Sequence, residues 1–296
     1  MGATFNLALE VAKILKIKDI LEGKVPYVTV PGTRDEVLKV MRESGVTFLP
    51  VVKKGKMEVV GTISEKNLMD KPEEIQIGLL MTRDPITVSK ETSIKDLVKI
   101  LLENNLRYVP VTENGKELVG LVSVADVVRK AIAVEKESGP IKNYVKRELV
   151  TVWEGTPVPV AFQIMRLAKV SILPVLDDNG NLSGIIDASD FLHLSEVVSE
   201  EKVSSITAGS EGTDWSWDSG DIFHITTKIL RLPNKPVKDV MTRSVETVTE
   251  LTSFDDCAKK MRKLDLNQIP VVDAKGKLSG IIYDVDLIRG FFQVQE

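Results

Sequence analysis

The stretch YVPVTENGKELVGLVSVAD, residues 108–126, decides the fold of this chain because its pattern occurs four times. In each copy a proline lies inside an apolar run, a glycine follows ten or eleven residues later, and Asp or Asn follows six residues after the glycine. The anchors are Pro50/Gly61/Asn67, Pro110/Gly120/Asp126, Pro174/Gly184/Asp190 and Pro270/Gly280/Asp286. Such self-similarity indicates small units that bury their apolar faces against one another. The clefts between these units are the expected place for a ligand.

Copy two shows the repeating unit most clearly. Residues 86–88 form a short β-branched strand, and Ser93 then precedes an apolar stripe with helical spacing, which predicts a helix capped by this serine. Residues 108–111 predict a second strand, Asn114-Gly115 a tight turn, and residues 118–122 the returning strand of a hairpin. A closing amphipathic helix completes the unit, so we predict an α/β fold of four βαββα repeats. The proline of each middle strand predicts an edge position or a break in the ladder.

The copies divide the chain into six segments. We predict an N-terminal helix at 1–16, repeats at 17–76, 77–136, 137–194 and 237–296, and an insertion at 195–236. Repeats one and two form one pair, and repeats three and four form the other. The insertion contains a polar, glycine-rich stretch with Trp215 and Trp217. These two residues either pin the insertion onto the domain or serve as a lid or a partner contact.

Composition excludes several classes of protein. The 296 residues are 43% hydrophobic and 28% charged, which is typical of a soluble globular protein. The net charge of −4 gives no overall basic footprint for nucleic acid. No apolar run approaches the roughly 18 residues of a membrane span. We therefore expect a cytoplasmic monomer or homodimer that binds neither nucleic acid nor a membrane, and the single cysteine, Cys257, agrees with a reducing compartment.

Residues 237–243, 269–273 and 278–282 resemble the CBS repeat, a module named for cystathionine β-synthase. The resemblance recurs in all four copies and covers nearly the whole chain apart from its ends and the insertion. It implies two tandem Bateman modules, each with two clefts, in a layout similar to archaeal relatives of the gamma subunit of AMP-activated protein kinase. Such families bind adenine nucleotides, or S-adenosylmethionine, and regulate another protein. The resemblance thus implies a non-catalytic module that needs no cofactor, takes AMP, ADP or ATP as a regulatory ligand, and acts on a protein effector.

The ligand motif of this family is Gly, two residues, Ser or Thr, two residues, then Asp or Asn. Copies one and two match it with Gly61/Ser64/Asn67 and Gly120/Ser123/Asp126. Copy three keeps Asp190 but has Asp187 at the hydroxyl position, and copy four keeps Asp286 but has Tyr283 there. The resemblance therefore favours ligand binding by the first pair.

The side chains of copy two suit a phosphorylated sugar. Ser123 precedes a helix whose unpaired N–H groups favour an anion. Asp126 can accept two hydrogen bonds from a vicinal diol, and Arg107 offers a forked donor for phosphate oxygens. The resemblance adds the backbone from Thr82 to Ile86 as the contact for the base.

Each of these assignments has a simpler alternative. Ser123-x-x-Asp126 also fits a capping box that begins a helix, and Arg107 also fits a solvated surface residue. Cys257 lies on an apolar helix stripe, which favours a buried core thiol over a nucleophile. The only histidines, His193 and His224, have no second ligand at metal spacing, so we predict no metal site and no catalytic residue. The alternative functions are a ligand-free interaction scaffold and an S-adenosylmethionine sensor.

Overall fold

The computed structural model describes residues 15–21, 23–71, 74–135, 138–194, 196–205 and 222–293. The chain divides into two compact units. The larger unit comprises Met1–Arg147, Thr247–Ala274 and Ser279–Glu296, and the smaller unit comprises Glu148–Glu246 and Lys275–Leu278. The N-terminal helix predicted at 1–16 lies almost entirely outside the described residues, as do Trp215 and Trp217. The segment boundaries and the role of the two tryptophans remain predictions.

Each copy contains the predicted elements in the predicted order. Copy one contains α1 (Ile17–Ile20), β1 (Val28–Val30), α2 (Arg34–Ser44), β2 (Phe48–Lys53), β3 (Val59–Ser64) and α3 (Glu65–Asp70). Copy two contains α4 (Ile77–Leu80), β4 (Thr82–Arg83), α5 (Ile94–Glu103), β5 (Tyr108–Glu113), β6 (Glu117–Ser123) and α6 (Val124–Val127), which continues as a π-helix at Val128–Ile132. Its own leading strand is reduced to a parallel bridge between Val88 and Val111.

The second half of the chain repeats this order. Copy three contains a 3₁₀ turn (Lys142–Tyr144), β7 (Val152–Trp153), α7 (Val158–Ala168), β8 (Ile172–Leu176), β9 (Leu182–Asp187) and α8 (Ala188–Leu194). The insertion contributes an antiparallel hairpin of β10 (Glu196–Ser205) and β11 (Ile222–Arg231). Copy four contains a 3₁₀ turn (Val237–Asp239), β12 (Val248–Thr249), α9 (Phe254–Leu264), β13 (Gln268–Val272), β14 (Leu278–Tyr283) and α10 (Asp284–Phe292). No helix in the described ranges combines the length and the apolar composition that a bilayer span requires.

Local sequence signals account for these elements. The hydroxyl of Ser93 accepts a hydrogen bond from the Asp96 N–H at 3.1 Å, which caps α5 as predicted. The turn at Asn114-Gly115 has φ values of 51° and 72°, the left-handed pair of a type I′ turn, and the Lys116 N–H closes it on the Glu113 carbonyl at 3.1 Å. Both features are short-range, so the sequence was sufficient to predict them.

In copies one, three and four the proline-containing middle strand is central in its sheet, so the expected edge position is wrong there, and in copy two β5 pairs with β6 and has a single bridge on its other side. In copy two the carbonyl of Pro110 accepts a hydrogen bond from Val88, and the Val88 carbonyl accepts one from Thr112. The nitrogen of Pro110 faces the same neighbour at a point where the leading strand has not yet begun, so no N–H is needed there. The ladder is irregular one residue later, between Val111 and Thr112, as the alternative expectation required.

Paired copies exchange their leading segments. β4 lies at the start of copy two but pairs antiparallel with β3 of copy one. In the same way Lys146 of copy three bridges to Ile281 of copy four, and Thr242 of copy four bridges to Ile185 of copy three. In copies one, three and four the sheet is therefore extended by the other copy of its pair, in agreement with the predicted two tandem pairs.

The helices of copies two and four share the main core of the larger unit. It includes Leu97 and Leu101 of α5, Ile132 of the π-helix, Met261 of α9 and Phe291 of α10, all of them almost fully buried. Copy one has a separate core around Val37 and Leu49, and the smaller unit has its own around Phe191 and Val237. Cys257 is fully buried within the core of copies two and four, as expected for a structural thiol.

Candidate functional site

The motif glycine of each copy leaves room for a side chain from the leading segment of the paired copy. A Cβ atom on Gly61 would lie 2.6 Å from the sulfur of Met81, and one on Gly184 would lie 2.5 Å from the sulfur of Met241. At Gly120 the space is filled by Leu21, and at Gly280 it is filled by Val145. The glycine therefore brings a segment of one copy beside the closing helix of the other. The start of that helix and the borrowed segment line each candidate cleft.

In copy one the structure brings Ser64, Asn67 and Thr82 together. The Asn67 side-chain oxygen accepts hydrogen bonds from the backbone N–H and the hydroxyl of Ser64, at 2.9 and 2.7 Å. Its amide nitrogen donates to the Thr82 hydroxyl at 3.3 Å. Thr82 therefore belongs to the cleft of copy one, because strand exchange places β4 against β3. The sequence grouped Thr82 with Ser123 and Asp126, whereas the structure bonds it to Asn67 of copy one, and its contact with a ligand remains a prediction.

Ile86, the other end of the predicted base-contacting segment, lies beyond β4. Its side chain is 40% exposed. The bridge at Val88 returns the chain to the sheet of copy two, beside Val111. The segment from Thr82 to Ile86 thus runs between the sheets of copies one and two, and its contact with a ligand base remains a prediction.

In copy two Ser123 and Asp126 form a reciprocal capping box at the start of α6. One carboxylate oxygen of Asp126 accepts from the N–H and the hydroxyl of Ser123, at 2.9 and 2.6 Å, and the Asp126 N–H donates to the same hydroxyl at 3.1 Å. The other oxygen lies 3.1 Å from the ammonium of Lys130, which also donates to the Ile20 carbonyl at 2.8 Å. Both oxygens of Asp126 are therefore engaged, and a diol would share the carboxylate with Ser123 and Lys130.

Arg107 contacts a carboxylate of copy four instead of lying free at the surface. Its guanidinium donates two hydrogen bonds to Asp284, at 3.2 and 2.5 Å. The arginine side chain is 46% exposed, whereas that of Asp284 is only 2% exposed. Burial raises the pKa of the Asp284 carboxyl, and the charge and hydrogen bonds of Arg107 partly offset that rise. Arg107 is therefore exposed to solvent but paired, its role as a phosphate contact remains a prediction, and a phosphate could bind it only in competition with Asp284.

In copy three a carboxylate takes the place of the capping hydroxyl. The Asp187 N–H donates to Asp190 at 2.9 Å, and the Asp190 N–H donates to Asp187 at 3.1 Å. The reciprocal geometry of the capping box is preserved, but two carboxylates now lie at one helix start. In the described ranges no group of three or more His, Cys, Asp or Glu side chains could hold a metal ion.

Copy four contains a carboxylate oxygen without a partner. Asp286 is 4% exposed, and its Oδ2 atom is the only buried side-chain nitrogen or oxygen in the described residues that has no hydrogen-bond partner. Its Oδ1 atom lies 3.7 Å from the ammonium of Lys146, which comes from the leading segment of copy three. Burial raises the pKa of Asp286, while Lys146 and the Tyr283 N–H oppose that rise. Such an acceptor is costly unless a ligand or water donates to it.

Comparison with known proteins identifies the repeats. The model of the CBS domain matches residues 17–74, 75–133, 141–196 and 237–292. The chain belongs to the CBS-domain family. MJ1225 of Methanocaldococcus jannaschii is similar to this CBS protein, with 24% identity over 94% of this chain and 99% of its own length.

Two solved structures have the same fold over nearly the whole chain. The crystal structure of MJ1225, described as a proposed archaeal homologue of g-AMPK, superimposes with a TM-score of 0.68 and 22% identity, covering 94% of this chain and 100% of that one. A conserved protein from Pyrococcus horikoshii superimposes with a TM-score of 0.66 and 29% identity, again covering 94% of this chain and 100% of that one. These similarities confirm the predicted fold of four CBS repeats in tandem pairs.

Proposed function

We propose that this CBS protein is a non-catalytic regulatory module that binds adenosine-based ligands in the clefts of its paired repeats. AMP, ADP or ATP would bind there, and the state of the clefts would be transmitted to a partner protein. The observation that carries the proposal is the unpartnered Oδ2 of Asp286 at the start of α10. A buried acceptor without a donor is destabilising for the ligand-free fold, so a role in binding accounts for its presence.

The surroundings of Asp286 suit a nucleotide. A carboxylate near a helix start can accept both hydroxyls of a vicinal diol such as ribose. Lys146 lies beside the same carboxylate and is half-exposed, so its ammonium can reach a phosphate in the cleft. Tyr283 stands at the cap of α10, where copies one and two have serine, and its ring offers an apolar surface for a base.

The other three clefts differ in the protein contacts that a ligand would have to replace. Asn67 and Thr82 in copy one are joined by a single long hydrogen bond that a ligand hydroxyl can replace. Asp126 in copy two already accepts from Ser123 and pairs with Lys130, so a ligand hydroxyl would compete with these groups. We therefore expect the copy-four cleft to bind its ligand first. In the remaining clefts we expect the ligand to contact the motif residues, which are Ser64, Asn67, Ser123, Asp126 and Asp190.

The environment of the cysteine supports a non-catalytic role, because it does not suit a nucleophilic thiol. The only cysteine, Cys257, is fully buried, and burial raises the pKa of its thiol to about 12. A thiol in that environment is neither ionised nor accessible at neutral pH, so Cys257 serves packing.

Copy three favours a second candidate ligand. Asp187 and Asp190 place two carboxylates at one helix start, which repels a phosphate and attracts a cation. S-adenosylmethionine combines an adenosine with a positive charge, so the smaller unit is the place where it would bind. A ligand-free scaffold would bind none of these compounds.

Asp286→Asn tests the proposal because it removes the unpartnered charge while keeping the shape of the side chain. We expect the ligand-free variant to be more stable than the wild-type protein, and calorimetry with AMP, ADP or ATP to show one binding site fewer. For the wild-type protein, a ligand at 100 times its dissociation constant should stabilise by about 2.7 kcal/mol. The matched control is Asp256→Asn, an exposed aspartate in the first turn of α9.

Two outcomes would contradict the proposal. One is a wild-type protein that responds to none of the three nucleotides or to S-adenosylmethionine, which would favour the scaffold. The other is an Asp286→Asn variant with unchanged binding and lower stability, which would give Asp286 a purely structural role.

A further inference from the structure

The ion pair between Arg107 and Asp284 joins two equivalent points of copies two and four. In copy two the Val124 N–H donates to the Arg107 carbonyl at 3.0 Å, and in copy four the Asp284 N–H donates to the Asn267 carbonyl at 2.8 Å. Arg107 therefore corresponds to Asn267, and Val124 corresponds to Asp284. Each pair lies where the middle strand meets the start of the closing helix. The guanidinium thus spans the helix starts of two copies.

This contact has no reciprocal counterpart. The residues that would form the second ion pair by internal symmetry are Asn267 and Val124, and neither is charged. The ion pair is therefore asymmetric: copy two supplies the arginine, and the closing helix of copy four supplies the carboxylate. Because no symmetry-related contact supports it, it is not a requirement of the repeat and calls for its own explanation.

The two partners differ in how easily they can separate. The arginine side chain is 46% exposed, which leaves it room to move, whereas that of Asp284 is 2% exposed and belongs to the first residue of α10. Asp284 also accepts a hydrogen bond from the Val285 N–H at 2.8 Å, so it keeps a donor when the arginine leaves. The mobile partner is therefore Arg107. A forked guanidinium binds carboxylate and phosphate with the same geometry.

We propose that Asp284 is an internal substitute for a ligand phosphate and sets the phosphate selectivity of the copy-two cleft. It holds the guanidinium of Arg107 until a phosphorylated ligand in that cleft takes it. This inference rests on the proposed function, since it assigns a ligand class to one of the same clefts. The favoured ligand is a nucleoside phosphate whose phosphate outcompetes a carboxylate, and filling the cleft releases the tie between copies two and four.

The test compares AMP with adenosine, which differ only in the phosphate. Binding at copy two is the part of the calorimetric signal that is lost in Asp126→Ala. In Asp284→Asn the competitor for Arg107 loses its charge, so the preference for AMP over adenosine should rise roughly tenfold. Arg107→Ala should abolish the preference, and Arg107→Lys, which keeps the charge without the fork, should reduce it.

Asp265→Asn is the matched control, because Asp265 pairs with Arg129 at 2.5 Å and also joins copy two to copy four, but its side chain is 84% exposed. It should leave the preference unchanged. An unchanged or lower preference in Asp284→Asn, in a protein that still unfolds cooperatively, would overturn this inference alone. A wild-type protein that binds neither AMP nor adenosine would overturn the inference together with the proposed function.

Discussion

Asp255 and Asp286 are both buried near the start of a helix in copy four, yet their environments shift their pKa values in opposite directions. Burial tends to raise the pKa of Asp255, but hydrogen bonds from Lys259, Ser138 and Ser253 outweigh it and lower the pKa from 3.8 to about 2. At Asp286 the Tyr283 N–H and the charge of Lys146 do not outweigh burial, and its pKa is raised. A satisfied aspartate therefore stabilises the fold at neutral pH, and an unsatisfied one opposes it.

The lowered pKa of Asp255 predicts a pH-dependent contribution to stability. Because the folded protein holds this proton less tightly than the unfolded chain, the contribution is complete above about pH 4 and is lost as the pH falls toward 2. It amounts to about 2 kcal/mol. Asp255→Asn should lower the free energy of unfolding by this amount at pH 7, as measured in urea, and the difference from the wild-type protein should shrink at pH 2.5.

Asp256→Asn serves as the control, because this neighbour is exposed. It should change stability little at either pH. A deficit in Asp255→Asn that is equally large at pH 7 and pH 2.5 would show that the loss comes from packing and not from the charge.

Side-chain hydrogen bonds between residues that are close in the chain could be predicted from the sequence, whereas contacts with residues far away in the chain could not. Ser123 and Asp126 lie three residues apart, so the capping box follows from spacing alone. Asp286 could be named from its motif position, but its lack of a partner depends on burial by segments far away in the chain. The sequence does contain a signal for Asp284, because an acidic residue stands there in copy four whereas copy two has the apolar Val124 at the equivalent position.

At the level of the element, the exchanged strand β4 depends on the missing side chain of Gly61. A Cβ atom there would lie 2.6 Å from the sulfur of Met81 and 2.8 Å from the carbonyl oxygen of Thr82. The methionine can move, but the backbone of β4 cannot do so without losing its pairing with β3. We expect Gly61→Ala to destabilise the larger unit by roughly 1–3 kcal/mol in urea unfolding.

Gly78→Ala provides a matched control in the preceding helix, α4. No atom lies within 4 Å of the added Cβ position, and the residue is helical. The substitution should be neutral or stabilising by roughly 0.5–1 kcal/mol. Equal destabilisation by both alanines would remove the steric argument for Gly61.

The exchange of segments is also where sequence reasoning fell short at this scale. The helix α5 was predicted with its cap at Ser93, because cap and apolar stripe are contiguous. Thr82 was assigned to the copy in which it occurs in the sequence, but it pairs with the other copy. A two-residue strand carries too little pattern to indicate its partner, and only the sheet register shows it.

At the scale of the molecule, the core shared by copies two and four predicts that they unfold together. Met261 of α9 is fully buried in this core, beside Ile132 of the π-helix and Leu101 of α5. Met261→Ala should lower the free energy of unfolding by roughly 2–5 kcal/mol. Hydrogen exchange should show that amides of α5 lose protection together with those of α9. Retained protection in α5 alone would mean that the two copies fold independently.

The exchanged segments have a consequence for how such a chain can grow or be cut. Copy one borrows Met81 and β4 from its neighbour, and copy two fills the space above Gly120 with Leu21 of copy one. A lone repeat would be left with an open sheet edge and an unfilled hollow over its glycine. The smallest unit that folds completely is therefore a pair of repeats, so we expect evolution to duplicate or delete repeats in pairs.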